Sequence, residues 1–146
     1  SSYRNDHSRA YAWLINIADN IANFLPARLA AFLIMIACAF TKGTSTSRCV
    51  STTFYQAPSM NSLNAGWPIA AIAGALNVAL AGPNKQEEKS SDQPWIGPKD
   101  STAKATEKDI KRMLALHINS VFVVMFFFAA LYWSPELKAL YINLMS

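Results

Sequence analysis

MLALHINSVFVVMFFFAALYW, residues 113–133, is the stretch that decides the fold class of this chain. Its 21 residues include no charge and three strongly polar side chains, His117, Asn119 and Ser120. A helix of this length covers about 31 Å, which matches the hydrocarbon thickness of a bilayer. Two aromatic residues close the run, as residues of the membrane interface do. The stretch therefore predicts a transmembrane helix.

The residues just before this stretch predict where the helix begins. Thr106 and Asp109 have the spacing of a capping box, so we expect a helix from about Glu107 to Trp133. The whole chain is 52% apolar and only 15% charged, against about 25% charged residues in average soluble proteins. Its net charge of +4 comes from basic residues in polar segments, without a basic stripe interleaved with aromatic residues. We therefore interpret the charge as membrane topology and lipid contact, and we expect no nucleic acid partner.

The N-terminal part predicts two helices with different faces. Ala10–Leu25 should be a helix that carries one polar stripe, because its four polar residues recur at helical spacing. These residues are Asn16, Asp19, Asn20 and Asn23. The stripe can form part of a binding site, or it can be the wet face of an interfacial helix. A second, apolar helix should run from Phe24 to Phe40, with Pro26 tolerated in its first turn.

Arg28 is a candidate for binding an anion. It would lie one turn into the apolar helix, at the end where the macrodipole disfavours a cation. We therefore expect it to pair with Asp19 or with the phosphate or carboxylate of a ligand. Contact between its guanidinium and lipid headgroups is an equally simple interpretation.

Asn64–Pro68 predicts a second candidate site. Gly66 can adopt positive φ and Pro68 suits a first helical position, so the amides of Ile69 to Ala71 would be free at the helix start. Free amides at a helix start bind anions such as phosphate, although an ordinary junction between a loop and a helix explains the same residues. The apolar, small-residued run Ala65–Ala81 predicts a re-entrant or packed helix rather than a full span.

The remaining segments complete an all-α integral membrane protein, a short helical bundle with at least one transmembrane helix. Residues 42–63 and 82–105 are predicted loops because they are polar and lack a pattern. Cys38 and Cys49 lack the spacing of a zinc site or a disulfide framework, and we predict no permanently bound metal. We treat residues 1–146 as one membrane domain, the C-terminal fragment of a longer multi-pass protein.

Several motifs resemble the adenosylcobinamide-phosphate synthase family (CobD/CbiB), whose members are polytopic membrane proteins about twice this length. The resemblance covers roughly Tyr3 to Leu116. It is specific because two rare motifs occur in the family's order. The matching segments are Tyr3–Asn5, Ala18–Asn20, Asn23–Leu29, Asn64–Pro68 with the alanine- and glycine-rich residues after it, and Pro94–Gly97.

This resemblance implies a step of vitamin B12 assembly. The family joins aminopropanol, or its phosphate, to the free carboxylate of adenosylcobyric acid, with ATP as the energy source and Mg²⁺ as an accompanying ion. Its partners would be the corrinoid, the amine, the lipid bilayer and the missing N-terminal half. By resemblance, Asp19 and Arg28 are the candidate catalytic residues. The candidate substrate- and phosphate-binding residues are Asn20, Asn23, Asn64, Gly66 and Trp67.

The chain also departs from the family pattern. The family usually has two aspartates where this chain has Asp19 and Asn20, and a charged loop where this chain has the neutral residues 55–66. Three interpretations therefore stay open: an active synthase, a noncatalytic homologue that binds corrinoid or phosphate, and an unrelated small membrane interaction protein.

Overall fold

The computed structural model describes residues 2–83, 93–135 and 143, with the side chains from residue 11 onward except those at 12, 14 and 16. Four α-helices dominate this part of the chain: α1 (Ser2–Phe40), α2 (Thr46–Gln56), α3 (Gly66–Leu76) and α4 (Glu107–Trp133). Two strands of two residues each, β1 (Leu80–Ala81) and β2 (Trp95–Ile96), form a small antiparallel pair.

Helix α4 begins and ends where the sequence predicts. The Thr106 side chain accepts the backbone N–H of Asp109, and the Asp109 carboxylate accepts the Thr106 N–H at 2.9 Å, which confirms the capping box. A capping box satisfies amides that a helix start otherwise leaves unpaired. The helix then continues without interruption to Trp133.

The two helices predicted at the N-terminus are a single helix, so the predicted break is wrong. Helix α1 has 39 residues and contains Pro26 in its interior rather than in a first turn. Proline there removes the hydrogen bond to the carbonyl of Ala22 and costs roughly 3 kcal/mol in an isolated helix. Packing against the rest of the fold offsets this cost, because Ala31, Ala37 and other residues beyond the proline are buried.

Residues 42–63 contain a helix, which corrects the prediction of a loop. Ser45 caps α2 by accepting the Arg48 N–H, and a turn of 3-10 helix follows at Ala57–Ser59. The Ser/Thr-rich composition hid this helix because its stability comes from packing against α3. Three α2 residues are buried, namely Cys49, Thr52 and Thr53. The Thr53 hydroxyl donates a hydrogen bond to the Cys49 carbonyl at 2.7 Å.

Helices α2 and α3 form a hairpin whose arms touch backbone to backbone. A Cβ atom built at Gly74 would lie 2.8 Å from the Cys49 Cα and would collide with the Arg48 carbonyl. A Cβ atom at Gly66 would collide with the Ala57 carbonyl near the other end of the arms. Small residues allow this close approach, so the prediction of a packed helix for this segment is confirmed.

Helix α3 ends five residues before the predicted boundary at Ala81. Asn77 adopts the left-handed conformation (φ 59°, ψ 44°) and its N–H bonds to Ala73, which terminates the helix. The chain continues into β1, which pairs with β2. The predicted loop 82–105 is therefore partly strand, and its residues 84–92 lie outside the described part of the chain.

Helices α1 and α4 lie side by side. The Asn119 amide donates to the Thr41 hydroxyl at 2.8 Å, and the Arg112 guanidinium donates to the Gly43 carbonyl at 2.8 Å. The end of α1 is therefore level with the first half of α4. The core between the helices contains Ala31, Ala37, Cys38, Cys49, Ala71, Ala75 and Leu116.

Two helical segments are long and apolar enough to cross a membrane, namely Ile17–Phe40 and Glu107–Trp133. Only 17% and 6% of their most apolar windows are buried inside the fold, so they are unlike the core helices of a soluble protein. A soluble monomer rarely exposes an apolar surface of this extent. The predicted class, an all-α membrane protein, is confirmed.

We expect the chain to stay in the membrane fraction during an alkaline carbonate wash. The reason is that α4 exposes several large apolar side chains, including Phe126 at 77%, which water would have to solvate after extraction. Immunoblotting of pellet and supernatant measures the outcome. Recovery of the chain in the supernatant would contradict a spanning α4, and a peripheral membrane protein supplies the extraction control.

Candidate functional site

Arg28 links the middle of α1 to the connection between α2 and α3. Its guanidinium donates to the Asn64 Oδ1 at 2.7 Å, to the Leu63 carbonyl at 3.3 Å and to the Phe24 carbonyl at 3.0 Å. It also lies 3.6 Å from the centre of the Phe24 ring and 4.9 Å from that of Trp67. All these partners are neutral. The described residues therefore leave the positive charge of Arg28 without a carboxylate.

Asn64 is the residue through which both sides of the site are connected. It is 8% exposed, and its amide group donates to the Asn20 carbonyl at 3.0 Å while its oxygen accepts from Arg28. Both ends of the side chain are thus satisfied. Because a buried asparagine with both ends paired has one favoured orientation, Asn64 fixes the connection against α1.

A polar groove of about 420 Å³ runs beside this contact. It contains three predicted residues of α1, and Asn64 closes one side. Asp19 is exposed and accepts a hydrogen bond from the Asn23 amide at 2.8 Å. The complete lining is Asp19, Asn20, Asn23, Pro26, Ala27, Ser62, Asn64, Ala65 and Pro68. The structure thus brings together four predicted site residues from segments about forty positions apart.

Arg28 does not pair with Asp19, which was one of its two predicted partners. The two residues are nine positions apart on one helix, which places them on opposite faces and about 13 Å apart along the axis. The helix macrodipole does not disfavour the charge of Arg28 as predicted, because Arg28 lies in the interior of α1 rather than near a helix start. The prediction of a ligand phosphate at Arg28 remains.

The predicted amide site at the start of α3 is wrong in its geometry. Gly66 does not have positive φ, and its lack of a side chain serves contact with Ala57. The Ile69 N–H donates to the Ala65 carbonyl at 3.4 Å, so it is not free. Ala70 and Ala71 are buried inside the helix, where amides bond four residues back. Phosphate binding by Gly66 and Trp67 stays a prediction without support from free amides.

Several residues that shape the site lie outside the set predicted from sequence. Phe24 stands four positions before Arg28, a helical spacing from which a cation–π contact could have been predicted. Pro26, Ala27 and Ser62 line the groove, and the Leu63 carbonyl contacts Arg28. The contacts of Ser62 and Leu63 depend on how the connection between α2 and α3 folds. The local sequence contains no pattern that predicts this fold.

A family model and individual relatives match most of the chain, and all of them are CobD or CbiB proteins. A family model described as CobD/Cbib protein matches residues 1–117, which include the whole groove. The chain is 32% identical to "Cobalamin biosynthesis protein CobD" of Klebsiella pneumoniae over 132 residues, 90% of this chain and 40% of that protein. It is 33% identical to "Cobalamin biosynthesis protein CbiB" of Salmonella arizonae over 132 residues, again 90% and 40%.

A third relative, "Cobalamin biosynthesis protein CobD" of Rhodobacter capsulatus, is 31% identical over 115 residues, 79% of this chain and 34% of that protein. The chain thus spans about 40% or less of the length of these relatives. No solved structure matches the chain.

Proposed function

The chain belongs to the CobD/CbiB family, and on that premise we propose that it acts in cobalamin biosynthesis. The names of the relatives carry this proposal, since both CobD and CbiB are called cobalamin biosynthesis proteins. Membership also excludes the third interpretation from the sequence, an unrelated interaction protein. We further propose that this chain supplies one part of the enzyme, with the N-terminal half as its partner.

The proposed reaction is amide formation between aminopropanol, or its phosphate, and the carboxylate of adenosylcobyric acid. A carboxylate is a poor acceptor for an amine, so it needs activation. ATP can supply this by transferring its terminal phosphoryl group to the carboxylate oxygen. The amine nitrogen then attacks the acyl carbon, loses a proton, and expels inorganic phosphate. The site must therefore hold phosphate groups, an amine and a carboxylate in water-shielded contact.

Arg28 is the proposed phosphate-binding residue. A guanidinium has five N–H donors, and the described residues occupy three of them through Phe24, Asn64 and Leu63, which leaves two for a ligand. Arginine pairs with phosphate through two parallel bonds, which gives both energy and orientation. The guanidinium also lies over the ring of Trp67, with its central carbon 4.9 Å from the ring centre.

Asp19 is the proposed contact for the amine or for Mg²⁺. One carboxylate oxygen accepts from Asn23, and within the described residues the other has no partner. It is the one carboxylate among the residues that line the groove. Mg²⁺ in phosphoryl transfer is commonly held by one or two carboxylates together with substrate phosphates, so a single aspartate fits this ion. An ion bound there would lie on the other face of α1 from Arg28 and about 13 Å from it along the axis, so it would contact a different part of the substrates.

A noncatalytic homologue is the second candidate function. The observation that favours it is the neutral connection between α2 and α3, where residues 56–65 contain no ionisable side chain. Such a protein would bind corrinoid or phosphate through Arg28 and the groove without making an amide.

Growth rescue separates the two candidates. A host that lacks its own CobD/CbiB protein receives the full-length gene and must grow on a medium that demands cobalamin. An active synthase should restore growth on cobyric acid, whereas a noncatalytic homologue should restore none. Cobinamide in the medium bypasses the amide-forming step. Growth of every strain on cobinamide therefore shows that the missing reaction is the one that forms this amide. Failure to grow on cobyric acid despite a normal membrane level of the protein would contradict the synthase proposal.

A further inference from the structure

The depth of Arg28 in the membrane follows from its position in α1. The candidate span runs from Ile17 to Phe40, and Arg28 lies eleven residues after its start and twelve before its end. At 1.5 Å per residue these separations are about 16 and 18 Å. A helix that crosses a bilayer with this segment therefore carries Arg28 close to the midplane.

The start of α2 and the end of α3 both lie near the C-terminal end of the α1 span. The Ser45 N–H donates to the Ala75 carbonyl at 3.1 Å, which joins the start of α2 to the end of α3. Thr44 donates to the Cys38 carbonyl at 3.0 Å and so attaches this base of the hairpin to the end of α1. Residues 45 and 77 thus lie on the side of the membrane where α1 ends.

The tip of the hairpin, residues 57–65, lies at the level of Arg28. Asn64 and Leu63 bond to the Arg28 guanidinium, and Asn64 also bonds to the Asn20 carbonyl. Helix α2 has 11 residues and is about 16 Å long, which is half of the hydrocarbon thickness. The length of the arm therefore agrees with the distance between the end of α1 and Arg28.

We infer that residues 45–77 form a re-entrant hairpin that enters and leaves the bilayer on the side where α1 ends, with its tip near the midplane. This inference rests on the membrane-spanning role of α1 and goes beyond the proposed reaction, on which it does not depend. It assigns the hairpin to the class of half-membrane elements that build internal sites in channels and transporters.

The backbone of the tip decides what surrounds it. Residues 57–65 form a 3-10 turn, bends and turns, in which several peptide groups lack helical partners. Irregular backbone at membrane depth is tolerated where protein covers it or where it lines a water-filled cavity. The polar groove supplies such a cavity, because Ser62 and Asn64 line it together with Asp19 and Asn23 of α1.

The groove also shows from which side water enters. Its polar α1 residues, Asp19, Asn20 and Asn23, lie between Arg28 and the beginning of the span. The cavity therefore opens toward the side where α1 begins, opposite the base of the hairpin. Charged, water-soluble ligands such as nucleotide or amino-alcohol phosphates would reach the tip from that side.

Single cysteines test this arrangement in membrane vesicles of known orientation. Ser62→Cys reports the tip, Tyr11→Cys the side where α1 begins, and Lys42→Cys the side where α1 ends. Phe126→Cys, on an exposed apolar face of α4, reports lipid. The probe is a membrane-impermeant, charged methanethiosulfonate, which reacts with hydrated thiolates. The unsubstituted chain, whose Cys38 and Cys49 are buried, gives the background.

We expect Ser62→Cys to react from the same side as Tyr11→Cys and at least tenfold more slowly from the side of Lys42→Cys. Phe126→Cys should stay unreacted from both sides. Reaction of Ser62→Cys from the side of Lys42→Cys, or no reaction at all, would overturn the re-entrant arrangement. Reaction of Tyr11→Cys and Lys42→Cys from one common side would overturn it together with the spanning role of α1. The growth assay decides the proposed reaction separately.

Discussion

Arg28→Ala should lower amide formation by at least about a hundredfold. A phosphate that takes the two remaining guanidinium donors gains two charge-assisted hydrogen bonds of about 1.5–3 kcal/mol each, and 1.4 kcal/mol corresponds to a factor of ten. Arg28→Lys should restore only a small part of the activity, because a point charge lacks the planar fork of donors. The rate of ATP-dependent product formation by isolated membranes measures this effect.

Two further variants separate the charge of Arg28 from its structural contacts. Asn64→Asp keeps an oxygen next to the guanidinium and neutralises its charge, but it also loses the hydrogen bond from the Asn64 amide to the Asn20 carbonyl, so activity should fall by more than the amount of folded protein. Arg48→Ala removes an exposed arginine of α2 outside the groove and should leave activity unchanged. If Arg28→Ala lowers the midpoint of thermal unfolding in detergent and leaves the specific activity of the folded fraction intact, Arg28 is structural.

Gly74→Val should prevent the hairpin from packing and should strongly reduce the amount of folded protein. Even the Cβ atom would lie 2.8 Å from the Cys49 Cα and 2.9 Å from the Arg48 carbonyl carbon, and both of these are backbone atoms that cannot rotate away. Overpacking of this kind costs about 1–3 kcal/mol and sometimes more. Gly74→Ala should show a smaller loss in the same direction. Thermal unfolding followed by size-exclusion chromatography in detergent measures both variants.

Ala129→Val is the matched control for this prediction. It adds two methyl groups at an exposed position of α4, which is the same difference in size as that between Gly74→Ala and Gly74→Val. Its thermal midpoint should stay within about a degree or two of the original, because surface changes usually have small effects. If Gly74→Val is as stable as Ala129→Val, the arms of the hairpin do not meet as closely as described.

The parts of the fold that sequence predicts are those with local signals. The apolar run 113–133 and the capping box of Thr106 and Asp109 define α4 without reference to the rest of the chain. The close-packed nature of α3 likewise follows from its small residues. A polar stripe and a family motif predict four candidate residues that the groove brings together, namely Asp19, Asn20, Asn23 and Asn64.

The parts that sequence missed depend on tertiary contacts. Pro26 normally ends a helix, yet α1 continues because Ala31, Ala37 and Cys38 beyond the proline are buried in the core that α1 shares with the hairpin and α4. Helix α2 has a composition typical of a loop, and its close packing against Gly74 of α3 is what favours the helix. The error at Gly66 has the same origin, since glycine there serves close approach and not a turn.

The most direct test of the proposed function follows one oxygen atom through the reaction. Adenosylcobyric acid labelled with ¹⁸O in its free carboxylate is incubated with aminopropanol phosphate, ATP and membranes that carry the full-length protein. We predict an amide product that requires ATP, with one ¹⁸O transferred to inorganic phosphate, and at least about a hundredfold less of both with Arg28→Ala. An unchanged corrinoid, or labelled phosphate and product formed equally well with Arg28→Ala, would contradict the proposed role of this site.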